Sequence, residues 1–150
     1  MEPRDEMAVR QLVARYCDAV ARFDADLYGR LWTVDAVWET DRNDIVGRDA
    51  VLATYTKLRA RYALCIQQVL SGFVEDGGPD DPPGALRGTW QIREVERTLD
   101  GEGIELYGIY RDVCVERPDG WQFARRRFDA LYRGPVAVPG KVFGTRPPEP

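Results

Sequence analysis

Between residues 64 and 132 the chain carries four long runs of β-branched and aromatic residues, Leu64–Glu75, Ala85–Arg97, Ile104–Arg117 and Trp121–Tyr132. Asp76-Gly77-Gly78, Asp100-Gly101 and Asp119-Gly120 punctuate them. Asp-Gly is a hairpin signature, because glycine takes the positive φ that a tight turn requires. Four long strands in sequential antiparallel pairing are the expected result. The preceding sixty residues follow a different period. Val9, Leu12, Val13, Tyr16, Val20 and Phe23 recur at helical spacing, and Leu27, Tyr28, Leu31 and Trp32 continue it after Asp26, a candidate N-cap. Asp35–Thr40 then reads as a strand. Asp49–Tyr62 returns to helix, with Val51, Leu52, Tyr55 and Leu58 on one side. Helices first and a meander afterwards specify the α+β class, with the helices gathered on one face of a twisted sheet.

Both faces of the expected strands are apolar. Ile66, Leu70 and Val74 alternate with Cys65, Val69 and Phe73, and Leu106 and Tyr110 with Ile109, Val113 and Val115. A sheet solvated on one side alternates more cleanly, so a second copy of the chain, as a homodimer, is expected to cover the face that the helices leave open. The 150 residues are expected to form one domain over 1–134, followed by an irregular Pro/Gly-rich arm over 135–150.

The formal charge of −4 argues against a nucleic-acid partner. Histidine is absent, which removes Ser-His and Cys-His nucleophile systems and the common zinc sites. The lysines are Lys57 and Lys141 alone, so Schiff-base chemistry is disfavoured, and Cys17, Cys65 and Cys114 are too scattered for a disulfide framework or a thiolate metal site. With no phosphate-binding glycine loop, no nucleophile elbow and no metal-ligand cluster, no cofactor is expected. No apolar run is long enough to span a membrane, and the opening Met1–Glu6 segment is charged, so a cytoplasmic location is the expectation.

Asp24 stands out. It follows Val20 by four residues and Tyr16 by eight, placing a lone carboxylate on the stripe that carries the helix into the core. Buried there, it would be a better general base than an exposed aspartate. The alternative is structural: a helix-terminal turn residue or, with Asp26, the N-cap of the second helix.

The segment Val9–Gly47, with Tyr16, Asp24, Leu31 and Asp35-Ala36-Val37-Trp38, resembles the SnoaL-like branch of the nuclear transport factor 2-like superfamily. Gly108-x-Tyr110-x-Asp112 and Asp119-Gly120-Trp121 through Arg126 are also similar to it. The resemblance implies a cone-shaped α+β barrel, with N-terminal helices packed on a curved, largely antiparallel sheet. Its members include polyketide cyclases, dehydratases, a dehydrochlorinase and a steroid isomerase, alongside non-catalytic modules, so fold alone does not give function. In the dehydratase and dehydrochlorinase members an Asp ending the first helix pairs with a His in a His-x-x-Ser/Thr-Asn pattern. Asp24 matches the first position, whereas Gln68-Val69-Leu70-Ser71-Gly72 puts glutamine where the His stands and glycine where the Asn stands. Glutamine can position a substrate oxygen but has no titratable proton near neutral pH.

Arg126 matches the arginine that lines the cavity in dehydrochlorinase-type members, and Tyr16 and Tyr110 are candidate donors to a substrate oxygen. The implied catalytic set is Asp24, Gln68, Arg126, Tyr16 and Tyr110, with Trp32, Trp38, Leu70, Trp90 and Phe128 against a hydrophobic small-molecule substrate. The expected activity is a cofactor-independent dehydratase, isomerase or cyclase acting on an apolar oxygenated small molecule, such as a polyketide or terpenoid intermediate. The rival expectation is a non-catalytic binding or accessory protein using the same pocket.

Overall fold

In the computed structural model, which describes residues 1–144, helix α1 spans Pro3–Arg22. Asp5 and Glu6 lie in its first turn, against the positive end of the helix dipole. Val9, Leu12, Val13, Tyr16, Ala19 and Val20 are buried, as the periodicity predicts. At Phe23 the backbone turns left-handed, with φ 54°, and the Asp24 amide donates back to the Ala19 carbonyl at 2.9 Å. That reversal ends the apolar stripe before Asp24. The Asp24 carboxylate instead caps α2, Ala25–Arg30, accepting from the Leu27 amide at 2.9 Å. The cap of the second helix is thus Asp24 and not Asp26.

Strand β1 (Trp32–Glu39) and the short β2 (Asp44–Val46) form a hairpin ahead of α3 (Arg48–Arg59). The long strands follow: β3 (Tyr62–Asp76), β4 (Leu86–Thr98), β5 (Gly103–Arg117) and β6 (Gly120–Pro135). Their order in the sheet is β2-β1-β6-β5-β4-β3, antiparallel throughout except where β1 runs parallel to β6. The expected meander is therefore present, and Gly101 and Gly120 supply its turns with φ of 93° and 111°. Three helices pack against a curved, unclosed sheet, so the α+β expectation holds. Among the described residues no helix is long and apolar enough to cross a membrane.

One register irregularity matters for the site: β3 slips against β4 between Val69 and Ser71, after which Gly72 faces Trp90. A Cβ at residue 72 would lie 2.3 Å from the Trp90 indole, so the ring occupies the space an asparagine would need. On the sheet face away from the helices, Ile66 and Phe73 are 41% and 52% exposed, with Leu70, Leu131 and Tyr132 also exposed. The arm runs back along the sheet, where the Val136 amide donates to the Gly103 carbonyl at 3.2 Å and Arg97 donates to the Gly140 carbonyl at 2.5 Å. Residues 145–150 of the expected arm lie outside the described residues.

Candidate active site

On β4, Leu86, Gly88, Trp90 and Ile92 are buried beneath the helices while Arg87 and Gln91 face outward. The pleat carries the same parity on to Glu94 and Glu96, so two carboxylates continue an apolar face. Register supplies their neighbours. Gln67 and Cys65 of β3 stand opposite Glu94 and Glu96, and Leu106 of β5 stands opposite Glu94 on the other side. Over this pair opens a cavity of about 250 Å³, walled by Trp38, Tyr55, Tyr62 and Phe128 with Val20, Leu58 and Leu106.

A polar chain crosses the cavity floor. The Gln67 amide donates to Glu94 and reaches the Tyr110 hydroxyl at 3.4 Å, which in turn lies 3.4 Å from the Tyr16 hydroxyl. Burial lifts the Glu94 carboxyl well above the usual range, and the hydrogen bond and charge of Glu96 reinforce this against the opposing influence of Gln67 and Arg59. Glu94 therefore holds its proton to higher pH than an exposed glutamate. Burial likewise raises the Tyr16 and Tyr110 phenols, which stay neutral and able to donate. Ligand atoms of Cys65, Glu94 and Glu96 lie within 4.8 Å of one another, a spacing a metal ion can bridge. Burial, reinforced by both glutamates, keeps the Cys65 thiol protonated.

Arg126 lies under the two tyrosines, 1% exposed. Its guanidinium carbon is 4.0 and 3.8 Å from the ring centres of Tyr16 and Tyr110 and 4.3 Å from that of Phe123. Its Nε is 3.0 Å from Asp112 Oδ1, and Trp90 Nε1 donates to Asp112 Oδ2 at 2.9 Å. Burial pushes the Asp112 carboxyl up to about 6, with Arg126 and Trp90 pulling the other way.

Of the residues that the sequence singles out, Tyr16, Tyr110, Trp38 and Phe128 line the cavity. The others are placed elsewhere. Asp24 is turned aside by the Phe23 reversal, caps α2 and lies 3.3 Å from Arg22. Gln68 falls on the outer face, accepting from Arg93 at 3.2 Å, because the pleat turns its neighbour Gln67 inward. Leu70 is 54% exposed at the β3 irregularity. Trp90 is packed beneath α1 against Gly72, under the Arg10 guanidinium, and Trp32 is fully buried among Tyr28, Phe123 and Trp38. Arg126 supports the cavity floor from below. The residues that sequence reasoning missed are Glu94, Glu96, Gln67 and Cys65. Their signal was phase: the glutamates share parity with Trp90 and Ile92, and Gln67 with Cys65.

The profile of the SnoaL-like domain family matches residues 1–127. No curated protein sequence matches the chain. Among solved structures, a Novosphingobium aromaticivorans protein assigned as an aromatic ring hydroxylase is similar with a TM-score of 0.81 at 18% identity, over 91% of this chain and 96% of that one. A hexachlorocyclohexane dehydrochlorinase gives 0.76 at 16% identity, over 95% and 93% of the two chains. A second N. aromaticivorans protein, assigned as a scytalone dehydratase, gives 0.77 at 16% identity, over 88% and 87%. At these identities the likeness is one of fold.

Proposed function

The chain belongs to the SnoaL-like domain family, and on that footing we propose that it is a cofactor-independent acid/base enzyme, a dehydratase, isomerase or cyclase for an apolar, oxygen-bearing small molecule. The observation that carries this reading is the Glu94–Glu96 pair at the end of an aromatic-walled cavity. A buried carboxyl that holds its proton near neutral pH can deliver it to a departing oxygen, and its conjugate base can take a proton from carbon. Tyr110 and Tyr16 would hold the oxygen on which charge develops, with Gln67 fixing the Glu94 carboxyl beside them. Arg126 acts through the tyrosines: its stacked charge opposes the effect of burial on both phenols and makes them stronger donors. Structures of the same fold named as a dehydrochlorinase and a dehydratase support this reading over passive binding.

Carboxyl-carbon NMR tests it directly. In the ligand-free protein the Glu94 resonance is expected to titrate well above the ordinary glutamate midpoint of about 4.3, in steps belonging to the coupled pair. A single transition at the ordinary value would remove the acid/base role.

We further propose a cytoplasmic homodimer, formed through the exposed apolar face around Ile66, Phe73 and Tyr132. Sedimentation is expected to give the dimer mass, and Phe73→Glu the monomer. A monomeric wild-type mass would refute it.

A further inference from the structure

The open hydrogen-bonding positions at the carboxylate end of the cavity are acceptors. Glu96 is 7% exposed, and its Oε2 has no hydrogen-bond partner. The carbonyl oxygen of Gln67 is likewise buried and unpartnered. A buried, unsatisfied carboxylate oxygen is costly unless a ligand completes it. Arg59, the cation among the described lining residues, directs three of its N–H groups to the backbone. Its Nε donates to the Val20 carbonyl at 2.8 Å, its Nη1 to that of Tyr62 at 2.8 Å and its Nη2 to that of Ala21 at 3.3 Å. These three bonds tie α3 to the end of α1 and to the start of β3. Cys65 is a neutral thiol and Tyr110 a neutral phenol. The vacant positions are therefore oxygens without a donor, one of them on a carboxylate.

The walls have matching chemistry. Trp38, Tyr55, Tyr62 and Phe128 present aromatic surface to the cavity, and aromatic faces attract cations more strongly as water is excluded. The same interior already uses this pairing, since Arg126 rests on Tyr16, Tyr110 and Phe123 at about 4 Å. An aromatic enclosure closed at one end by a carboxylate with a free oxygen is a receptor for an organic ammonium. A ligand carboxylate would bring further acceptors to oxygens that already lack a donor.

We propose that the cavity binds a compact, ring-bearing amine in its protonated form, the ammonium donating to Glu96 Oε2 and the Gln67 carbonyl while the ring lies against Trp38 and Phe128. This rests on the reading of the cavity as the working site and narrows its substrate to a basic one. It also divides the pair: Glu96 recognises charge and Glu94 moves the proton.

Three probes of one shape separate the possibilities: phenethylammonium, phenethyl alcohol and phenylpropionate, titrated by calorimetry or NMR at neutral pH. The ammonium is expected to bind about tenfold or more tighter than the alcohol, and phenylpropionate not measurably. Glu96→Gln is expected to erase the preference while keeping affinity for the alcohol, which also reports that the variant is folded. Equal binding of ammonium and alcohol, preference for phenylpropionate, or a preference that survives Glu96→Gln would each overturn the proposal. None of these outcomes touches the acid/base reading, which stands or falls on Glu94. Conversely, an ordinary titration of Glu94 would leave the ammonium preference intact.

Discussion

Replacing Glu94 by glutamine is expected to lower kcat by about 10²–10⁴-fold, the contribution that a positioned general acid or base makes, with little change in KM or in melting temperature. Glutamine keeps the shape and can still pair with Gln67, but it carries no transferable proton. It also removes an ionisable group from a buried position, so folding is not penalised. The measurement is steady-state turnover of whichever hydroxylated or carbonyl-bearing ring compound the wild type converts in a mass-spectrometric screen. Asp24→Asn is the informative partner variant. Asparagine caps a helix as well as aspartate does, so α2 is retained and turnover is expected to stay at the wild-type level. If Asp24→Asn is as inactive as Glu94→Gln is predicted to be, Asp24 returns as the proton carrier and the carboxylate pair loses that role.

The contrast between Asp24 and Glu94 locates what the sequence makes legible. Long-period patterns carried through: the α1 stripe from Val9 to Val20 and the four strands marked by Asp-Gly turns appear where the periodicity puts them. Strand β2 did not, because three residues paired at an edge, two of them exposed, have no period to detect. Of the two readings of Asp24, the helix cap holds and burial on the apolar stripe does not, for a local reason. Helical spacing predicts a side chain's direction only while the helix lasts, and a left-handed Phe23 ended it one residue too soon. Gln68 points away from the cavity by one step of the pleat, which reverses every side chain on a strand. The resemblance named the residue, but the register of β3 against β4 turned Gln67 inward instead. Glu94 and Glu96 were visible as polar residues in phase with Trp90 and Ile92. Recognising them as a pair required knowing that Cys65, Gln67 and Leu106 stand beside them, and cross-strand neighbours are set by register, which no single strand encodes.

Arg126→Met is expected to destabilise the protein by about 3–5 kcal/mol at pH 7.5, because it strands a buried charge that its partner had offset. Methionine fills much of the same volume, so lost packing is a minor part of the loss. The stranded group is Asp112, 2% exposed, whose remaining contact is the Trp90 indole. The pH dependence distinguishes this cause from a simple cavity. The folded-state value for Asp112 is raised by burial to about 6, above the unfolded value, so its neutral form favours the fold and that contribution is lost as pH rises through the folded value. Without Arg126 to pull it down, the folded value climbs further. The penalty of Arg126→Met should therefore shrink as pH falls from 7.5 toward 5, where Asp112 takes up its proton, whereas a packing defect would cost the same at both. Thermal melts at the two pH values decide it, and the double variant Arg126→Met with Asp112→Asn should recover much of the loss at pH 7.5. If the double variant melts no higher than Arg126→Met alone, the buried pair is not what Arg126 stabilises, and its contribution lies in the rings of Tyr16, Tyr110 and Phe123 stacked around it.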